Sequence, residues 1–200
     1  MSRWFNTAGP CKPNKHYMLP ATSRLPDLET IIEQENYFVV HAPRQTGKTT
    51  AMLALAKQLT ESGRYASVMV SVEVGSAFNN DPSAAELAIL GSWWGAIEDN
   101  LPKELQPSAW VYNASGQRIK ENLRAWSRMI ERPVVIFIDE IDSLQNDTLI
   151  SVLRQLRDGF PNRPDNFPSS VGLVGLRDVR DYKVASGGSE RLNRASPFNI

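Results

Sequence analysis

Two short stretches hold the residues whose types and spacing suit chemistry. The first is Ala42-Pro-Arg-Gln-Thr-Gly-Lys-Thr49, and the second is Asp139-Glu140, directly after the apolar run Val134-Val-Ile-Phe-Ile138. The first follows the spacing G-x-x-x-x-G-K-[ST], with Ala42 standing where that pattern has its first glycine. Between a strand and a helix, such a loop aims successive backbone N–H groups at one point, and the helix dipole adds positive potential there. Phosphate is the ligand this suits. Gly47 lets the backbone approach phosphate oxygens, Lys48 reaches the β- and γ-phosphates, and the Thr49 hydroxyl is a magnesium ligand. Pro43, Arg44, Gln45, Thr46 and Thr50 complete the candidate binding segment, with Arg44 either on phosphate or facing solvent. Ala42 ends the strand, where alanine is tolerated so long as its φ stays negative.

The acidic pair supplies what hydrolysis needs beside such a loop. Asp139 is suited to hold the metal, through a water, and Glu140 to polarise the attacking water at the carboxyl end of a central strand. An aspartate at a strand exit is by itself more often a helix cap. The phosphate loop in the same chain favours the catalytic reading, with Asp142 in support. Guanine recognition is not expected. No D-x-x-G follows the acidic strand, and Asn14-Lys15-His16-Tyr17 lacks the aspartate of an N-K-x-D reader.

The elements that would position these residues alternate between strand and helix. A helix is expected over 25–35, a strand over 37–42, and an amphipathic helix over 48–62 stopped by Gly63. Val68, Val70, Val72 and Val74 alternate along a strand over 67–74, at a sheet edge. Helices follow over 82–100 and 116–130. The run 134–138 reads as a strand buried on both faces, 147–158 as a helix, and 170–176 as a fourth strand. Such alternation implies α/β architecture, a mostly parallel sheet with helices on both faces. Trp93 and Trp94, about 100° apart on a helix, cannot share one narrow face. His41 reads as a core histidine.

Composition narrows the rest. The 22 basic and 22 acidic residues balance, which argues against a dedicated nucleic-acid arm. A single cysteine, Cys11, excludes an intramolecular disulfide. No apolar run nears the ~20 residues that span a bilayer, and the start lacks a secretory h-region, so a cytoplasmic place is expected. The expected organisation is one domain over 1–200, with an irregular lead to residue 24, a nucleotide-binding core over 25–178 and a polar tail over 179–200.

On Ala42-Pro-Arg-Gln-Thr-Gly-Lys-Thr-Thr50 and Phe137-Ile-Asp-Glu-Ile-Asp142 the chain resembles the AAA-like P-loop ATPases, particularly the bacterial AAA-like domain group related to archaeal-type and STAND ATPases. Tyr17–Arg24 looks like the segment that runs beside the adenine there. The resemblance implies a three-layer fold with sheet order 5-1-4-3-2, ATP or ADP with Mg2+ as ligands, and a conformational role, with a homo-oligomer as one option. It also directs attention to Arg177, after the fourth strand, as a sensor of the γ-phosphate or else a surface arginine paired with Asp178. Arg154, Arg157 and Arg163 lie where an arginine finger might be sought, although solvated surface arginines are the simpler reading. The resemblance further implies a fifth strand and a C-terminal lid, for which the polar residues after Leu176 are too few, so a fragment of a longer protein is expected. Alternatives to a hydrolysing motor are a nucleotide-dependent switch with negligible turnover and an ATPase of a DNA-associated defence or mobile-element system.

Overall fold

The computed structural model describes residues 3–6, 14–17, 27–43, 45–111 and 114–175. Its elements, in chain order, are α1 (Leu28–Glu33), β1 (Phe38–His41), α2 (Lys48–Glu61), β2 (Ala66–Ser71), α3 (Pro82–Asn100), α4 (Arg118–Met129), β3 (Val134–Asp139), α5 (Asn146–Gly159) and β4 (Ser170–Gly175). Short 3-10 turns over Glu73–Phe78 and Ile141–Ser143 follow β2 and β3.

The four strands form one parallel sheet in the order β1-β4-β3-β2. Parallel neighbours need crossover connections, and the intervening helices supply them on both faces. On one face, α1 and α2 pack Ile32, Met52, Leu55 and Leu59 against Phe38, Met69, Phe137 and Val174. On the other, α3, α4 and α5 bring Ile89, Trp93, Leu123, Val152 and Leu156 onto Val68, Val70, Ile136, Ile138 and Leu173. The protein is therefore a three-layer α/β fold, as the alternation of elements implies. β3 lies in the middle with Val134–Ile138 wholly buried, as its unbroken apolar run requires.

Gly172 makes the middle of the sheet possible. It pairs with Phe38 of β1 on one side and Phe137 of β3 on the other. The two rings close over it, 6.2 Å apart. A Cβ at residue 172 would lie 2.7 Å from the Phe38 ring and 2.9 Å from the Phe137 ring.

The α3–α4–α5 layer is tied by one buried carboxylate. Glu86 is 1% exposed and accepts from Gly116 N (3.0 Å), Gln155 Nε2 (2.8 Å) and Ser151 Oγ (3.1 Å), with Arg118 Nη1 at 3.9 Å. A buried charge is tolerable when its lone pairs are satisfied in this way.

Three expectations need correction. β2 ends at Ser71 rather than at residue 74, because the last ladder bond, Val72 N to Asp139 O, is followed by the 3-10 turn; Val72 stays in the core while Val74 is 45% exposed. His41 is exposed rather than a core residue, since it sits at the last paired position of β1, opposite Gly175, and β1 has one neighbour among the described residues. Of the helix sought over 25–35, Leu28–Glu33 is helical and the chain has left the helix by Glu35, while residues 25 and 26 lie outside the described residues. Trp93 and Trp94 divide as their angular offset requires. Trp93 is fully buried and donates to Ser71 O (3.0 Å), while partly exposed Trp94 meets Trp110 edge to face.

Gly172→Ala is expected to destabilise the fold by about 1–3 kcal/mol through overpacking. Phe38→Leu in the same background should recover part of that loss. Urea unfolding of the single and double variants measures both.

Candidate functional site

The site is built at the carboxyl edge of the sheet, where β1 and β3 end with β4 between them. Adjacent strands lie about 4.8 Å apart, so the two site-bearing strands are separated by roughly 10 Å. The loop after β1 spans this gap. It turns on two left-handed residues, Gln45 (φ 62°) and Gly47 (φ 87°), and delivers the chain into α2 at Lys48. Alternation of this kind turns backbone N–H groups inward as an anion-binding nest, and α2 adds its positive end. At Gly47 nothing would meet a Cβ within 4 Å, so glycine serves here for its backbone conformation rather than for space. Ala42 is not among the positive-φ residues, and its N–H extends the β1–β4 ladder to Gly175 O (3.4 Å). The departure from glycine at that position therefore carries no backbone strain.

Lys48 Nζ folds back over the loop onto Ala42 O (2.5 Å) and Pro43 O (2.9 Å), and Thr46 Oγ1 also donates to Pro43 O (3.0 Å). Thr49, in the first turn of α2, donates from Oγ1 to Asp139 Oδ2 at 2.9 Å. The other Asp139 oxygen accepts from Glu140 N (3.0 Å). The start of α2 and the acidic strand thus meet through Thr49 and Asp139, residues 90 positions apart in sequence.

Burial raises the Asp139 pKa above the usual carboxylate range. The Thr49 hydroxyl, the Glu140 amide and the Lys48 charge pull it down, and Asp142 pushes it up. Glu140 is exposed and holds a left-handed backbone (φ 56°, ψ 35°). That conformation is costly for a residue with a side chain, and nothing in the sequence signals it.

Arg44, Arg177 and the segment 18–24 lie outside the described residues, as does the tail beyond residue 175. Arg163 is no surface arginine. Its Nε donates to Glu35 O and its Nη1 to Phe160 O, both at 2.7 Å, and it stacks on the Phe160 ring. Arg154 and Arg157 are exposed and line a 530 Å³ cleft between α4 and α5 with Gln117 and Lys120. No residue of the phosphate loop or the acidic pair lines that cleft. Among the described residues, no three His, Cys, Asp or Glu side chains converge. None of their helices is long and apolar enough to cross a membrane.

The sequence profile of the ATPase family associated with various cellular activities (AAA) matches residues 38–175, from the first residue of β1 to the last of β4. The chain belongs to this family of nucleotide-binding P-loop ATPases. Among solved structures it is similar to Cdc6p from Pyrobaculum aerophilum, with 14% identity and a TM-score of 0.48, covering 87% of this chain and 43% of that one. It is also similar to a chain in the structure of Drosophila ORC bound to GC-rich DNA and Cdc6. There the identity is again 14% and the TM-score 0.48, with coverage of 90% of this chain and 28% of the other. The chain thus spans less than half the length of either. No curated protein sequence matches it.

Two expected outcomes follow from this geometry. Glu140→Gly should raise stability by roughly 1 kcal/mol, since glycine adopts the left-handed backbone without strain; thermal unfolding measures it. The second concerns pH. A carboxyl whose pKa is raised on folding binds its proton more tightly in the folded state, so its effect on stability becomes more favourable as pH falls through the raised pKa. Without added metal, wild type should gain stability relative to Asp139→Asn on acidification through that range, levelling off near the ordinary aspartate value of about 3.9. Urea titrations of both proteins at a series of pH values give the difference directly.

Proposed function

We propose that this chain is a magnesium-dependent ATP-binding and ATP-hydrolysing module that drives a conformational change, acting as one nucleotide-binding unit within a longer protein or assembly. The observation that carries the reading is the 2.9 Å contact between Thr49 Oγ1 and Asp139 Oδ2. A hydroxyl and a carboxylate held this close together suit a hard divalent ion, which Thr49 would ligate and Asp139 would hold through a water. A site with so few protein ligands suits magnesium, which keeps several waters and is completed by substrate phosphates. Held there, magnesium would supply positive charge to neutralise that developing on the phosphate oxygens during transfer.

The chain's own residues supply the rest. The nest over Gln45–Gly47 and the start of α2 receive the β- and γ-phosphates. Lys48 exchanges its two carbonyl partners for phosphate oxygens, which is favourable because an anion is a stronger acceptor for an ammonium than a neutral carbonyl. Glu140, exposed beside Asp139, accepts the proton of the attacking water. Asp139 works as an anion.

Lys48→Ala should abolish calorimetrically measured Mg-ATP binding. Glu140→Gln should keep that binding and lower turnover by roughly 100-fold or more, the usual scale of a lost general base. Well-folded wild type that binds no Mg-ATP would sink the proposal. Binding with wild-type turnover as low as that of Glu140→Gln would replace the hydrolytic module with a nucleotide-dependent switch.

A further inference from the structure

Helix α5 starts shortly after the acidic pair without a cap of its own. Gln145 stands at its N-cap position, and its side chain makes no capping bond. The first amides of a helix lack intrahelical acceptors and must find them elsewhere. Here Asn79, at the end of the 3-10 turn after β2, supplies them from another part of the chain. Its Oδ1 accepts from Gln145 N (2.7 Å) and its backbone O accepts from Thr148 N (3.2 Å). The Asn79 amide has one possible orientation, because its nitrogen donates in turn to Ser76 O (2.9 Å). Two further bonds close the same seam: Thr148 Oγ1 to Phe78 O (2.7 Å) and Asn146 Nδ2 to Asn80 Oδ1 (2.8 Å). Thr148 is 1% exposed.

The seam lies one tight turn from Glu140. Ser143 N donates to Glu140 O (2.9 Å) and Leu144 N to Ile141 O (3.3 Å), which leaves little slack between Glu140 and Gln145. At the other end, Val72 N donates to Asp139 O (3.2 Å), and Ser71 pairs with Asp139. The segment from Ser71 to Asn79 and the segment from Asp139 to Gln145 are therefore joined at both ends. Glu140 sits on this closed ring in its left-handed conformation.

We infer that Asn79 is a positioning residue for Glu140: by capping α5 from the segment after β2, it fixes the far end of the turn that aims the Glu140 carboxylate. The inference rests on the hydrolytic reading of Glu140, and the seam itself stands on geometry independent of that reading. Catalytic groups displaced by about 1 Å can cost up to 100-fold in rate. None of the seam's hydrogen bonds named above involves a residue of the phosphate loop, so nucleotide affinity is separable from it.

The test compares Asn79→Ala with Asn79→Asp, which keeps an acceptor for Gln145 N. Asn79→Ala should lower kcat by roughly tenfold or more, with KM and the Kd for Mg-ATP within about threefold of wild type. Asn79→Asp should recover most of that loss. Both are compared at temperatures where unfolding curves show the variants fully folded. A wild-type kcat in folded Asn79→Ala, or an aspartate variant as slow as the alanine one, overturns the inference. Hydrogen exchange of the amides over 141–145 is the second readout, and it needs no turnover. Asn79→Ala should speed exchange there while leaving the amides of α2 unchanged, and unchanged exchange over 141–145 overturns the inference as well. Absence of turnover in wild type counts against the hydrolytic reading and leaves the exchange result to decide the role of Asn79.

Discussion

β4 stands between the strand that carries the phosphate loop and the strand that carries the acidic pair, and the rest of the site depends on that separation. Were β1 and β3 hydrogen-bonded neighbours, their ends would be about 4.8 Å apart. With β4 interposed, the loop after β1 has room to curl through Gln45 and Gly47 before α2 begins. The first turn of α2 then brings Thr49 onto Asp139. The interposition is itself conditional on Gly172, which alone lets the Phe38 and Phe137 rings meet over β4. A packing constraint in the middle of the sheet thereby sets the spacing of groups at its edge.

The two carboxylates Glu86 and Asp139 are handled differently. Glu86 is buried and given four hydrogen-bond or ion-pair partners, so its charge serves as a structural tie among three helices. Asp139 is less buried, and among the described residues its carboxylate has the Thr49 hydroxyl and the Glu140 amide as hydrogen-bond partners. Burial outweighs them, and its carboxylate stays poorly compensated. An under-compensated anion next to a phosphate loop is a favourable place for a divalent cation.

Much of this architecture is legible in the sequence because it follows from short-range pattern. The apolar run before Asp139 has no alternation and so requires a central strand, and α3 occupies the expected span 82–100. The loop spacing leads directly to Lys48 and Thr49. What escapes notice depends on partners distant in sequence. Gly172 resembles any strand glycine until Phe38 and Phe137 are placed beside it. Glu86 is a lone charge in an otherwise apolar stretch of α3. Its spacing of three, four and seven residues to Ile89, Leu90 and Trp93 puts it on the buried face, and that was the available signal. Asn79 caps a helix that begins far along the chain, and local capping rules inspect only neighbours. His41 was misplaced because apolar composition identifies a strand without saying whether it lies at the rim.

The position of β1 also bears on the order in which the polypeptide can mature during synthesis. Its sole described neighbour is β4, and the seam between them joins residues more than a hundred positions apart, with Ser170 Oγ reaching Asn36 O across a separation of 134. β2 and β3 can pair, and α3 to α5 can settle on them, before β4 leaves the ribosome. β1 cannot, because closing so long a loop is rewarded only once its partner strand exists. The nascent chain therefore carries its loop and the Phe38–Val40 segment unsheltered until β4 has been made. The phosphate loop, made more than a hundred residues before β4, is among the last parts of the described fold to acquire its shape.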